Sequence, residues 1–580
     1  MHSFGVWAPK ASRVDLEVRL DDGWQTLQMH GADDGCWGVE VALAGPGADY
    51  AFRVDGGDPT PDPRSPWQPD GVHGPSRLFD AAAHAPPAWP GMDARGAVLY
   101  ELHVGTFTPD GTLDAAAGHL DQLVELGVQM VSLMPVAAFP GRHGWGYDGV
   151  HLYAVHEPYG GPAALQRFVA ACHRRGLGVC LDVVYNHLGP SGNYLSRFGP
   201  YFTDRHHTPW GEAVNLDDEG SVQVRRWVVD NALRWFTDFG IDALRLDAVH
   251  ELKDDSPTHV LAQLSTETAV LAAELGRPLS LVAESDLNQP RMVEPVADGG
   301  LGMTAQWSDD VHHALHALLT GERGGYYADF GTPEVLAQTL TRVFRHDGCW
   351  STFREEAWGA PVDPHRHRGH AFLAYSANHD QVGNRAVGDR PGASLTDGQL
   401  AIAAALVLTS PYTPMLFMGS EWGATTPWQF FADHAEPALA AAVREGRRRE
   451  FAAHGWDAGQ VPDPQDPATR DASVLDWSEP ARERHTRLLA WHRELIALRS
   501  AHADLRDDDL SRVAVRHADD GSWFVVDRGD LRVVASMSPA PQRVPIGAPT
   551  TGVLAAWDEV TPSGDTLSMP GHSAVVVSVR

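Results

Sequence analysis

From about residue 94 onward the chain repeats one pattern, an apolar run of strand length followed by a stretch whose apolar positions recur at helical spacing. That alternation predicts parallel βα units. The strand-like runs are AVLYELHVG (97–105), VQMVSLMPV (128–136), LGVCLDVVYNH (177–187), IDALRLDAV (241–249), LSLVAESD (279–286), MTAQWSDD (303–310), AFLAYSAN (371–378) and YTPMLFMGSE (412–421). Helical spacing fills most of the gaps, as in LDAAAGHLDQLVELG (113–127), PAALQRFVAACHRRG (162–176) and SVQVRRWVVDNALRWFTDFG (221–240). Eight such units predict a (β/α)8 TIM barrel, whose chemistry gathers at the C-terminal ends of its strands. Residues 188–220, rich in Gly, Pro and aromatics, and 422–484, polar and Arg-rich, interrupt the repeat on or near that end.

The flanks carry a different period. Residues 4–54 fall into short alternating pieces, FGVWAP, RVDLEVRL, WGVEVAL and YAFRVDG, split by Gly, Asp and Pro turns, which predicts an antiparallel β-sandwich. PTPDPRSPWQPDGVHGP then reads as a stiff connector. RVAVRHA, SWFVVDRG, LRVVASMS and SAVVVSVR return to short strands at the C-terminus. The expected layout is a multidomain α/β chain: a β-sandwich over 1–93, a barrel over 94–505 and an antiparallel β domain over 506–580.

Composition narrows the function classes. Lys and Arg number 45 against 76 Asp and Glu, a net charge of −31, which disfavours nucleic acid and anionic membranes as partners. No apolar run approaches the ~20 residues of a membrane span. The four cysteines, Cys36, Cys172, Cys180 and Cys349, form no metal-ligand or disulfide pattern. The start, MHSFGVWAPKASRV, lacks the features of a secretory signal, so a cytoplasmic enzyme is expected. No metal and no cofactor is expected. The sequence does not set an oligomeric state, and a monomer stays open.

Charges inside the apolar runs are the chemical signal. Asp182, Asn186 and His187 end the third run, and Arg245, Asp247 and His250 the fourth. Glu284 closes the fifth, Asp309 and Asp310 the sixth, and His379 and Asp380 the seventh. A barrel brings all of them to one mouth. Carboxylates from neighbouring strands suit glycoside hydrolysis, where one carboxyl protonates the leaving oxygen and another attacks the anomeric carbon.

DVVYNH (182–187), GIDALRLDAVH (240–250), VAES (282–285) and ANHDQVGNR (377–385) resemble, in order, the four short sequence regions of glycoside hydrolase family 13, the α-amylase family. The resemblance implies Asp247 as nucleophile, Glu284 as acid and base, and Asp380 as the stabiliser of the oxocarbenium-like transition state. Arg245 would hold Asp247 charged and oriented, His187 and His379 would bind sugar hydroxyls, and Tyr147 would stack on the cleaved residue. His250, Asp309, Asp310, His312, His313, Gln381 and Asn384 complete the expected substrate-binding set. The N-terminal β domain is similar to the carbohydrate-binding module of glycogen-branching and debranching relatives.

LFMGSEWGATTPWQFFADH (416–434), EGRRREFAAHGW (445–456), VPDPQDPATRD (461–471), LDWSE (475–479), QWSDDVHHAL (306–315) and GPSGNYLSRFGPYFTD (189–204) resemble the maltooligosyltrehalose trehalohydrolases within that family. GSEW, Trp428 and Ala432 depart from the group's expected GEEW and TPFQFFTDH. This resemblance implies a retaining endo-hydrolase acting on maltooligosyltrehalose, next to its terminal trehalose. The alternatives are a branching or debranching enzyme and a plain α-amylase. The DDVHH run (309–313), the 188–220 stretch and WQFF (428–431) are the candidates for recognising the trehalose end.

Overall fold

The computed structural model describes residues 2–84, 88–453 and 460–580. Residues 454–456, the end of the EGRRREFAAHGW stretch, lie outside them. Each of the eight apolar runs contributes one strand to a closed parallel barrel: β1 (Leu99–Leu102), β2 (Met130–Leu133), β3 (Gly178–Val183), β4 (Ala243–Leu246), β5 (Ser280–Ala283), β6 (Ala305–Trp307), β7 (Phe372–Ala374) and β8 (Thr413–Phe417). They pair in sequence order, and β8 closes onto β1.

Side chains alternate between the inside and the outside of a barrel. Leu99, Met130, Cys180, Ala243, Val282, Ala305, Leu373 and Met415, one per strand, form one buried cluster that plugs the interior. Their neighbours along the strands, such as Val98, Val131, Leu181 and Leu244, belong to the larger core shared with the helices. The strands are therefore apolar on both faces at this level, which is why they read as unbroken apolar runs.

The helices follow their spacing. Gly161–Arg174 and Ser221–Asp238 lie where predicted, whereas the 113–127 stretch breaks into Leu113–Ala117 and Leu120–Leu126 around Gly118. Thr112 caps the first piece by accepting from the Ala115 amide at 3.2 Å. Three insertions stand at the mouth side. The 188–220 stretch carries a hairpin, Phe202–Thr208 against Gly211–Val214. The 422–484 stretch includes helices Pro437–Ala453 and Pro467–Ala472. A third insertion between β6 and β7, absent from the expectation, carries the hairpin Cys349–Ser351 with Glu356–Trp358.

Before the barrel stand two antiparallel sheets of three and four strands, and after it a five-stranded and a three-stranded antiparallel sheet. Among the described residues no helix is long and apolar enough to cross a membrane.

Candidate active site

Two positions along from the apolar plug, on the same inward face, the character changes to Glu101 on β1, Asp182 on β3, Arg245 on β4 and Glu284 just past β5, with Trp307 and Tyr375 between them. The period of two that packs the core thus also delivers the charges. Two further positions along β4 bring Asp247 to the next level.

Arg245 organises this layer. Its side chain is 1% exposed, and Nη1 donates to both carboxylate oxygens of Asp182, at 2.9 and 2.8 Å, and to Asp247 Oδ1 at 2.9 Å. Nη2 stands 3.1 Å from Glu284 Oε2, and the guanidinium lies 4.4 Å from the Trp307 ring centroid. Asn186 Nδ2 donates to Asp247 Oδ2 at 2.8 Å and to its carbonyl at 2.7 Å. Both oxygens of Asp247 are therefore oriented by donors from different strands.

Glu284 is treated differently. Burial, reinforced by the nearby charges of Asp247 and Asp380, outweighs Arg245 and pushes its carboxyl up to about 8. Its Oε2 accepts from the Ala248 amide at 2.6 Å, and Ala248 itself sits at a left-handed φ of +38°. Asp182 is also raised, to about 7, by burial against the pull of Arg245.

On the opposite wall, Asp380 feels burial upward, but the adjacent His379 overrides it and holds the carboxyl at about 2. His379 Nε2 is 3.3 Å from Asp380 Oδ2. Burial would discharge this imidazole, yet Asp380 and Glu101 raise it well above its ordinary value. As an imidazolium, its Nδ1 donates to Glu101 Oε1 at 2.7 Å and its Nε2 to Tyr147 Oη at 2.8 Å. Tyr147 Oη in turn donates to Asp182 Oδ2 at 2.7 Å. One continuous network thus runs from Glu101 through His379, Tyr147, Asp182 and Arg245 to Asp247.

The mouth therefore brings together Asp247, Glu284, Asp380, Arg245, Tyr147 and His379. His187 lies beside them, with Nδ1 on Asn186 Oδ1, Nε2 on the Tyr147 carbonyl at 3.0 Å and its ring stacked 4.0 Å from Trp210. Trp210, on the 202–214 hairpin, is 53% exposed. Asp309 accepts from Tyr375 Oη at 2.5 Å and from Gln381 Nε2 at 3.2 Å, and Asn384 Nδ2 reaches Asp380 Oδ1 at 3.3 Å. His313 packs against Tyr326 at 4.9 Å, and His250 stands 3.8 Å from Asp286.

Two expected sugar ligands turn away. Asp310 is buried, and its Oδ2 is taken by Asn288 and two backbone amides. His312 is buried with Nδ1 on the Ser376 carbonyl at 2.9 Å and Nε2 3.3 Å from Tyr327 Oη. Both lie on helix Asp309–Thr320, which leads away from the strand end. In the WQFF stretch Trp428 serves packing: it is fully buried, stacked on Trp145, and donates from Nε1 to the His379 carbonyl at 2.9 Å. Ser420 belongs to a 3-10 turn past β8, and Glu421 beside it is buried against Tyr100 Oη at 2.9 Å.

Glu101 was not among the expected site residues, although a lone carboxylate in an apolar run was the signal that marked the other strands. Nor were Tyr326 and Phe353, exposed aromatics of the third insertion, or Arg354, whose Nη2 donates to Asp286 Oδ2 at 2.9 Å.

Comparison with known proteins supplies the family. An alpha-amylase catalytic domain model matches residues 80–208, a carbohydrate-binding module 48 (isoamylase N-terminal domain) matches 2–68, and a domain of unknown function matches 508–576. The chain is 52% identical to a malto-oligosyltrehalose trehalohydrolase of Arthrobacter ramosus, over 100% of this chain and 99% of that one. The chain belongs to the malto-oligosyltrehalose trehalohydrolase family. A member from Mycobacterium tuberculosis is 48% identical over 100% of this chain and 99% of its own, and one from Saccharolobus solfataricus 39% over 91% and 89%. Among solved structures, a candidate alpha amylase of Salmonella typhimurium superposes with a TM-score of 0.90 at 37% identity, covering 100% of this chain and 97% of that one. A pullulanase of Paenibacillus barengoltzii shares the fold alone, with a TM-score of 0.72 at 19% identity, covering 100% and 93%.

Proposed function

We propose that this malto-oligosyltrehalose trehalohydrolase family member is a retaining endo-hydrolase that cleaves the α-1,4-glucosidic bond next to the terminal trehalose of maltooligosyltrehalose, releasing trehalose and a maltooligosaccharide. The observation that carries the mechanism is the opposite treatment of two carboxyls around Arg245. Asp247 is held by Arg245 and Asn186 as an acceptor poised to attack, and Glu284, raised to about 8, starts with its proton.

In the first step Glu284 gives that proton to the glycosidic oxygen leaving with trehalose, while Asp247 attacks the anomeric carbon and forms a glycosyl ester. Water then attacks the ester as Glu284 takes its proton back, so the maltooligosaccharide leaves with its α configuration retained. Asp380, kept ionised beside His379, stabilises the positive charge that develops on the sugar ring in both steps. Tyr147 and His379 contact the sugar being cleaved, and Trp210 stacked on His187 offers an exposed platform beside it. On the leaving-group side, Asp309 with Gln381, His313 with Tyr326, and the exposed Phe353 with Arg354 form the wall that meets trehalose. The substrate is neutral, which suits a chain of net charge −31, and a cytoplasmic setting is part of the same reading.

Offering maltopentaosyl-trehalose and maltoheptaose in parallel tests the proposal. A much larger kcat/KM on the capped substrate, with trehalose as product, is expected; equal cleavage of both would make the protein a plain amylase.

A further inference from the structure

Asp310 directly follows Asp309, yet its carboxylate faces the other way and gathers segments that are distant in sequence. Its Oδ2 accepts from the backbone amides of Arg345 at 2.6 Å and His346 at 3.2 Å, and from Asn288 Nδ2 at 2.9 Å. Asn288 is itself fixed in the left-handed region at φ +51°; its Nδ2 also reaches the His346 carbonyl at 3.3 Å, and its carbonyl accepts from the Ala360 amide at 2.9 Å. Both ends of the 343–360 loop are thus tied to one Asp–Asn pair.

The loop enters through Val343 at φ +70°, a backbone conformation that a β-branched residue adopts only when its surroundings impose it. Those surroundings are visible: Val343 is fully buried, its amide donates to Tyr412 Oη at 3.2 Å, and the Phe344 amide closes a tight turn on the Arg342 carbonyl at 2.8 Å. Farther along, the same loop is bonded to the residue two past Glu284. Arg354 Nη2 donates to Asp286 Oδ2 at 2.9 Å and Trp358 Nε1 to the Asp286 carbonyl at 2.7 Å. A general acid stands on the leaving oxygen, so a wall fastened two residues beyond it borders the leaving group.

We infer that Asp310 is a positioning residue: through Asn288 and the amides of Arg345 and His346 it sets the 343–360 loop, with Phe353 and Arg354, against the strand end that bears Glu284, and so sets the preference for a trehalose leaving group without touching sugar. This inference rests on the function proposed above. A wall displaced by about 1 Å loses oriented binding of one leaving group while the reacting carboxyls stay in place.

Two variants test it. Asp310→Asn keeps the shape and removes the charge that holds two amides and an amide side chain; Asn288→Gly keeps the left-handed backbone and removes the side-chain donor. For each, kcat and KM are measured on maltopentaosyl-trehalose and on maltoheptaose, beside the wild type and with thermal midpoints recorded. The expected result is a preference for the capped substrate reduced by roughly tenfold in Asp310→Asn, mainly through KM, and less in Asn288→Gly, with maltoheptaose hydrolysis within about twofold of wild type. An unchanged preference in folded variants, or a parallel fall on both substrates, overturns it. If Asp310→Asn does not fold, Asn288→Gly decides alone by the same criterion. A wild type with no preference would overturn the proposed function together with this inference; a wild type with the preference and variants that keep it would overturn this inference only.

Discussion

The Ala248 amide donates to Glu284 Oε2 at 2.6 Å, one residue past Asp247. The backbone that follows the proposed nucleophile therefore orients the proposed acid and ties the two strand ends together. The Val249 amide adds a second tie, to the Glu284 carbonyl at 3.0 Å.

Between these two ties Ala248 holds φ +38°, a region disfavoured for any residue with a Cβ. Ala248→Gly is expected to keep the amide contact, leave kcat within about threefold and change stability by no more than about 1 kcal/mol. Ala248→Val is expected to lose about 1–3 kcal/mol and more than tenfold in kcat. Denaturant melts and initial rates on the capped substrate check both.

The raised carboxyl of Glu284 sets a pH limb. The general acid works while protonated, so activity is expected to fall as pH rises through about 8. Asp247 and Asp380 both contribute to that rise, so Asp380→Asn, beyond its loss of rate, is expected to move the limb to lower pH. A pH–rate profile of kcat/KM reads the shift directly.

The same group has a cost in stability. Its carboxyl is raised in the folded chain, so between its ordinary value and about 8 the folded state holds a proton that the unfolded state has released. Folding stability from this group therefore falls as pH rises across that window. Glu284→Gln removes the penalty, and its thermal midpoint is expected to exceed that of wild type by a larger margin at pH 8 than at pH 5. A margin that shrinks over that range would contradict this assignment.

Arg245 holds Asp182 and Asp247 and stands beside Glu284, with its side chain almost wholly buried. Arg245→Lys keeps a charge but not the planar fork, and is expected to lower kcat by about 10²-fold. Arg245→Ala leaves several buried carboxyls unpaired and is expected to destabilise the fold by about 3–5 kcal/mol, read as a lower denaturation midpoint.

Much of the fold was legible because one period does two tasks. The inward face of each strand packs the apolar plug and then, two residues later, presents a charge, so Asp182, Arg245 and Glu284 stand out from their apolar runs by the same count that defines the strand. Glu101 obeys that count as well and could have been found by applying it to β1. What stayed hidden depends on backbone direction. Asp309 and Asp310 are identical residue types one position apart, and only the start of a helix sends the first to the mouth and the second into the clamp on Arg345 and His346. The positive-φ turns at Ala248 and Val343 occupy residue types that seldom adopt them, so nothing announced them, whereas Asn288 is of a type that visits this region readily. WQFF reads as a sugar platform because aromatics serve equally for stacking on sugars and for packing; for Trp428, burial behind His379 decides for packing.

Asp247→Asn and Glu284→Gln are each expected to cut turnover by at least ~10²–10⁴-fold while the chain stays folded, with unchanged circular dichroism. Near-wild-type rates in either purified variant would remove that residue from the mechanism.

The most direct measurement follows the first minutes of maltopentaosyl-trehalose hydrolysis by proton NMR. Trehalose and maltopentaose are expected in equal amounts, with the new maltopentaose end first seen as the α anomer and only later equilibrating. A β anomer at the outset, or glucose and mixed maltooligosaccharides without stoichiometric trehalose, would contradict it.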